Sequence, residues 1–156
     1  MRSRLTGRSR WAGGVAAALL VPAVLAGCGG GGAPGAEKAR YIVQSDAICG
    51  EIFAQAGAAG TAHDKATADK LTDVWSKGSD RLKGLGQPPA ESVELARQFV
   101  TDVENIGLSY VAASRALDLN DQAKAERDFN DVSMIKTRAA KTAKAYGYKV
   151  CRQING

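Results

Sequence analysis

Three cysteines and one histidine are the residues of this 156-residue chain best suited to covalent or metal chemistry. A thiol can be acylated, oxidised to a disulfide or bound to a metal, and an imidazole can act as a base or a ligand. The cysteines are Cys28, Cys49 and Cys151, so none of their spacings is the Cys-x-x-Cys of redox and zinc motifs. Once Cys28 is assigned to a lipid, as argued below, two thiols and His63 are too few for a tetrahedral zinc site. We expect neither a metal nor a cofactor.

The single histidine could serve a hydrolase as a general base, provided that a nucleophile and an orienting acid lie close in space. His63 stands between Thr61 and Asp64 at a predicted helix start, where Thr61 and Asp64 could form a capping box. The sequence contains no Gly-x-Ser-x-Gly motif and none of the paired Glu-x-x-His elements of di-iron bundles. We therefore interpret His63 as a solvated residue of the first helical turn and predict a non-enzymatic protein.

Three groups of charged residues are further candidates for functional surfaces. Asp102 and Glu104 are expected on a solvated helix face rather than as a general acid/base pair, and Glu91 and Glu94 suit the first turn of a helix. The end of the chain is basic and lacks interspersed acids; this set is Lys136, Arg138, Lys141, Lys144, Lys149 and Arg152. These cations favour a helix carboxyl end, or alternatively contact anionic lipid or a wall polymer.

The amino-terminal part of the chain has three regions in the order of an export signal. Residues 1–10 are basic, residues 11–26 are apolar but shorter than a membrane span of about 20 residues, and Leu25-Ala26-Gly27-Cys28 follows. This last sequence resembles the lipobox of bacterial lipoproteins. The resemblance implies that residues 1–27 are a cleaved signal peptide, that the Cys28 thiol carries a diacylglyceryl thioether, and that palmitate-like acyl chains hold the protein at the extracytoplasmic face of the cell membrane. An ordinary secretory signal and an uncleaved anchor are the alternatives.

Charge argues against a nucleic-acid partner. The chain has 21 Lys and Arg, but four of these arginines lie in the leader, which leaves 17 against 16 Asp and Glu from Cys28 onward. A nearly neutral exported protein lacks the basic surface that binds nucleic acid. Residues 28–37 are expected to be the lipidated cysteine with a Gly-rich tether, and residues 38–156 the folded domain.

Apolar residues recur at three- and four-residue steps through the whole domain, which is typical of helices. The pattern predicts helices over about 39–57, 63–84, 89–119 and 121–147, with Pro89 in the first turn of the third and Asn120 or Asp121 capping the fourth. Short connections predict an all-α, antiparallel up-down four-helix bundle. Alanine and glycine at the seams favour a tightly packed core over a cavity.

The two cysteines of the domain can meet in such a bundle. The first and fourth helices are neighbours, Cys49 lies in the first helix, and Cys151 lies just past the end of the fourth. A disulfide between them is favoured because two thiols form an even number in an oxidising compartment. A redox pair, a metal pair and two free core thiols are the alternatives.

Short pieces of the domain also match one group of proteins. The segment Tyr41–Cys49, the turn Leu85–Pro89 and the ending Tyr146–Cys151 resemble those of small, uncharacterised helical lipoproteins of high-GC Gram-positive bacteria. The resemblance implies fold and location only.

Three functions remain open to the sequence. The leading hypothesis is a membrane-anchored, non-enzymatic interaction module that binds an envelope protein, a wall polymer or anionic lipid. The second is a small-ligand carrier with a cavity in the bundle, whose aromatic lining would come from Trp75, Tyr110, Tyr146 or Tyr148. The third is a hydrolase using His63.

Overall fold

The structure, a computed structural model, describes residues 35–155. Four helices form an antiparallel up-down bundle, which confirms the predicted fold class. They are α1 (Ala36–Ala59), α2 (Lys65–Gly84), α3 (Val93–Asp118) and α4 (Gln122–Tyr146). A single 3-10 turn, η1, follows at Cys151–Gln153, and the part of the chain that the structure describes contains no strand.

Two helix starts differ from the sequence prediction. Asp64, expected as the acid of a capping box, is itself the cap of α2, because its carboxylate accepts from the Thr67 backbone N–H at 2.9 Å. Helix α3 begins at Val93 rather than at Pro89, since the residues between them form turns that end at Ser92 with φ 64°. The prediction for α4 is confirmed: Asp121 accepts from the Lys124 N–H at 2.9 Å.

Small residues let the helices approach closely, as the sequence suggested. α3 packs against α2 and α4, and α1 packs against α2. A Cβ atom on Gly78 of α2 would collide with the Ile52 side chain of α1, and one on Gly107 of α3 would lie 3.2 Å from the Ser76 hydroxyl. Larger residues at these two positions would force the helices apart.

The first and last helices do not pack backbone to backbone. Within residues 35–155, no Cα atom of α1 comes within 8 Å of one in α4. The gap is filled by residues 148–154, here called the C-terminal hook, of which Tyr148, Cys151 and Ile154 are buried. The Tyr148 ring lies 4.6 Å from the Tyr146 ring and 5.1 Å from that of Phe99, measured between centroids. The sequence predicted only a short tail here; the hook is part of the core.

Two bonds fasten the hook to α1. The predicted disulfide is confirmed: Cys49 and Cys151 are bonded, with Cα atoms 5.2 Å apart. Beside it, the buried Asp46 carboxylate accepts hydrogen bonds from the backbone N–H groups of Lys149, Val150 and Cys151, each at 2.9 Å. By the chain-entropy model, a disulfide across about 100 residues stabilises the fold by roughly 4–5 kcal/mol. The carboxylate satisfies the free N–H groups at the start of η1 and so fixes the direction of the hook.

Replacing this carboxylate should weaken the whole domain. Asp46→Asn keeps the shape of the side chain but has one acceptor oxygen and no charge, so at least one buried N–H loses its partner. We expect a loss of about 1–3 kcal/mol in the free energy of unfolding, measured by urea denaturation with the disulfide intact. Asp80→Asn, at an exposed position of α2, is the matched control. Equal urea midpoints for the two variants would contradict a structural role for Asp46.

Candidate functional site

The structure places the residues singled out in the sequence in different surroundings. Cys28 lies outside the described residues. Cys49 and Cys151 are joined and almost fully buried, so they serve structure rather than surface chemistry. His63 is exposed in the connection before α2, and its ring forms no hydrogen bond with another residue of 35–155. The structure does not bring these residues together into one site.

The prediction for Asp102 was wrong. Its side chain is fully buried between α3 and α4 rather than on a solvated face. One carboxylate oxygen accepts from Gln98 Nε2 at 2.9 Å and from Arg138 Nε and Nη2 at 2.9 and 2.7 Å. These bonds raise the pKa of the Arg138 guanidinium. The ion pair of Asp102 with Arg138 joins α3 to α4. Glu104, which the sequence hypothesis paired with Asp102, lies at the surface and forms an ion pair with Lys83 Nζ at 2.7 Å.

Part of the basic carboxyl-terminal set lines an open surface cleft. Lys141 and Lys144 of α4 face Arg152 of the hook across a space of about 430 Å³, here called the basic cleft. The other two α4 members of this basic set lie elsewhere: Arg138 binds Asp102, and Lys136 lines a different cavity. The basic cleft is shallow, which suits an extended anionic partner better than an enclosed ligand.

A more enclosed cavity lies where α1 ends and the hook stops. It has a volume of about 290 Å³ and is here called the aromatic cavity. Its walls come from every helix of the bundle and from the hook: Phe53, Leu71, Trp75, Tyr110, Lys136 and Ile154. The connection between α1 and α2, at Gly60, Thr61 and Ala62, forms its rim. Five apolar or aromatic side chains and one amine therefore surround a space at one end of an otherwise filled core.

The helical period explains why these side chains converge. Leu71 and Trp75 are one turn apart on α2, so both face the bundle interior, and both are buried. Gly107 lets α3 approach the α2 backbone beside Trp75, and Tyr110 stands one turn further along α3. The hook places Ile154 in the cavity wall, and the position of the hook depends on Asp46. Because α1 and α4 stay apart and the hook covers only part of the gap, the space between Phe53 and Lys136 stays open.

Lys136 is the one charged residue among the described residues that line the aromatic cavity. Its ammonium nitrogen lies 5.2 Å from the centroid of the Trp75 ring, within range of a cation–π contact. Burial lowers the pKa of Lys136, because the ammonium has lost water. Burial also raises the pKa of the Tyr110 phenol. Within residues 35–155, Lys136 forms no ion pair.

The indole of Trp75 lies behind this wall rather than on its surface. Trp75 is 1% exposed, and its buried Nε1 has no hydrogen-bond partner among the described residues. A buried indole N–H normally finds an acceptor, since leaving it without one costs about 1–3 kcal/mol. A ligand in the cavity would therefore meet Lys136, which covers the ring, rather than the indole N–H.

Sequence reasoning found part of this site. It named Trp75 and Tyr110 as aromatics that might line a pocket, but it placed Lys136 in a basic surface region and left out Phe53 and Ile154 as ligand contacts. A signal for Lys136 was present: it follows Val132 and Ile135 and precedes Ala139 on the apolar side of α4. A lysine on an apolar helix face has a buried stem, and its charged end must lie in a cavity or at the edge of the core.

The lowered pKa of Lys136 predicts a specific pH dependence. Between its pKa in the folded protein and the value of about 10.4 in the unfolded chain, the unfolded state binds more protons. The free energy of unfolding therefore rises with pH in this window. Above about pH 10, buried tyrosines lower the free energy of unfolding as the pH rises. The Lys136→Met variant has the same tyrosines, so their effect cancels when the two proteins are compared.

We therefore expect the wild-type protein to gain stability relative to Lys136→Met between pH 7 and pH 10, measured from urea midpoints at both pH values. Lys70→Met, at an exposed position of α2, controls for the loss of one positive charge. A difference between wild type and Lys136→Met that stays constant with pH would show that Lys136 is freely solvated.

Comparisons add no assigned activity to this picture. Across residues 35–155, no group of His, Cys, Asp and Glu side chains is arranged to hold a metal ion. The helices of that same range are each too polar or too short to cross a membrane. No protein-family model, no curated protein and no solved structure matches the chain. The aromatic cavity is therefore interpreted from its own residues.

Proposed function

We propose that this chain is a lipid-anchored protein of the extracytoplasmic membrane face, and that its helical domain binds a small molecule without converting it. The observation that carries the proposal is the aromatic cavity, which combines apolar side chains with one amine, that of Lys136, which forms no ion pair among the described residues. Pockets of this composition, at one end of a helix bundle, are typical small-molecule sites. The volume of about 290 Å³ is near the lower end of the range for such sites.

The lipid anchor is supported by two independent features. The Leu25-Ala26-Gly27-Cys28 sequence follows a basic and an apolar region, as in bacterial lipoproteins. The Cys49–Cys151 disulfide suits an oxidising compartment, because thiols of cytosolic proteins are usually kept reduced. A protein fixed to the membrane surface would hold its ligand close to the bilayer and to other envelope proteins.

The non-enzymatic part of the proposal rests on the chemistry of the cavity wall. Its only titratable groups among the described residues are Lys136 and the Tyr110 phenol, and Lys136 lies over an aromatic ring rather than beside an acid or a nucleophile. His63, the residue considered for a hydrolase, does not line the aromatic cavity. This arrangement can hold and orient a ligand, and it gives Lys136 no acid or base partner for proton relay.

A second candidate function is the interaction module favoured by the sequence. The basic cleft supports it, because Lys141, Lys144 and Arg152 lie together without ion-pair partners among the described residues. Such a surface suits a wall polymer, anionic lipid head groups or an acidic envelope protein. We place it second because surface lysines contribute little specificity, whereas the aromatic cavity has an enclosed shape.

The anchor can be tested at Cys28. Cys28→Ser removes the thiol that would carry the diacylglyceryl group, so we expect the protein to lose incorporation of labelled palmitate and to leave the membrane fraction. Gly30→Ser, two residues further along the same Gly-rich segment, is the matched control and should stay labelled and membrane-bound. Labelling that persists in Cys28→Ser would refute lipidation at this cysteine.

Ligand binding can be tested by asking what the protein carries. Native mass spectrometry of the protein extracted from its own membrane in mild detergent should show a retained small molecule. Gly57 lines the aromatic cavity, and a Cβ atom there meets no atom within 4 Å. Gly57→Met should therefore fill part of the cavity without disturbing α1, and we expect it to retain at least tenfold less of the molecule.

The matched control is Gly84→Met. Gly84 is also a helical glycine with open space around its Cβ position, but it lies at the end of α2, away from the cavity lining. It should retain as much of the molecule as the wild-type protein. A bare protein, or equal retention by Gly57→Met, would exclude ligand binding in the cavity. A retained second protein or polymer, lost on neutralising Lys141 and Lys144, would favour the interaction module instead.

A further inference from the structure

We infer that the ligand of the aromatic cavity is a small organic monoanion: a carboxylate on a compact apolar body, with the carboxylate at Lys136 and the body against Phe53. This inference rests on the proposed function and adds to it the chemical class of the ligand. It follows from two properties of the cavity: an ammonium without an acid partner, and the size and composition of the remaining wall.

The first property is the unpaired charge of Lys136. Amines that lose water on folding are usually paired with a carboxylate, because an isolated buried charge is costly. On α4 the residues three and four positions from Lys136 are uncharged: Val132, Ser133, Ala139 and Ala140. None of the described residues that line the cavity from the other helices is an acid. Within the described domain, the Lys136 ammonium has a cation–π contact with the ring of Trp75 but no ion pair. A negatively charged ligand would supply the missing counter-charge.

A carboxylate supplies this counter-charge with a single negative charge. An alcohol or an amine ligand would leave Lys136 without it. A phosphate dianion is a poorer match, because one lysine provides fewer donors than such sites normally have.

The second property is the size and composition of the space that remains. At roughly 30 Å³ for each water-sized group, a cavity of about 290 Å³ holds a ligand of about ten non-hydrogen atoms. Phe53, Ala56 and Ala62 line it, are partly exposed and offer only carbon atoms from their side chains. A compact aromatic or aliphatic body can pack against them, whereas a long acyl chain exceeds the volume.

Tryptophan fluorescence can test the inference directly. The chain has two tryptophans, so Trp11→Phe in the full-length protein leaves Trp75, in the cavity wall, as the sole reporter. The probes are 3-phenylpropanoate and 3-phenylpropanamide, which have the same size and shape but differ in charge. We expect the carboxylate to change Trp75 emission saturably, with an affinity at least tenfold tighter than that of the amide.

Substitution at Lys136 separates charge recognition from folding. In Lys136→Met the carboxylate and the amide should bind with equal affinity, because the group that distinguishes their charges is gone. Lys70→Met, which removes a surface charge from α2, should bind both probes as the parent protein does.

The outcomes distinguish this inference from the proposed function. If the amide binds as tightly as the carboxylate, the cavity is a ligand site but the monoanion is wrong. If Lys136→Met binds the carboxylate undiminished, Lys136 is not the recognising group, and the inference fails as well. If neither probe binds, the inference also fails, while a retained neutral molecule lost in Gly57→Met would still support the proposed function.

Discussion

The fold depends on a single carboxylate inside the bundle. Asp46, in the middle of α1, holds three consecutive backbone N–H groups of a segment more than 100 residues away, and the disulfide lies directly beside it. A carboxylate at this depth is stable because its charge is met by several aligned donors. Through it the C-terminal hook is fixed in place, and the hook in turn carries Tyr148 and Ile154 into the core. Without the hook, the close backbone packing of α1 would be with α2 alone.

The same arrangement explains why the bundle is solid in one part and open in another. Where the hook enters, the rings of Tyr41, Tyr146, Tyr148 and Phe99 fill the space between α1, α3 and α4. Further along, the hook ends while α1 and α4 remain apart, and Ile154 is its last buried residue. The aromatic cavity is the remainder of that gap. Its position is therefore a result of where the hook stops, whereas its chemistry comes from Trp75 and Lys136.

The local elements could be predicted from the sequence because their signals are local. Apolar periodicity located all four helices, and an even number of domain cysteines on apolar positions indicated the disulfide. The seams of alanine and glycine correctly indicated close packing, but they gave no warning of the gap between α1 and α4. That gap depends on how far apart the two helices pack, which no short window of residues encodes.

The features that were missed all involve polar groups paired over long distances. Asp102 resembles any surface acid of a helix until Arg138 of the next helix is placed against it, and Asp46 needs the hook. Lys136 was grouped with its basic neighbours in sequence, although its helical position puts it on another side. In each case the burial of a charge is decided by its partner, and a partner 36 or 103 residues away leaves no periodic trace.

The hook also determines the order in which the domain can be completed. Synthesis supplies the chain from its amino end, so α1, α2 and α3 exist before the residues that close their shared core. Tyr148, Cys151 and Ile154 emerge only after all four helices, and until then Asp46 has no N–H groups to bind and Cys49 has no thiol to meet. Any protein that binds the first residues of the chain during synthesis therefore meets a polypeptide that cannot yet complete its fold.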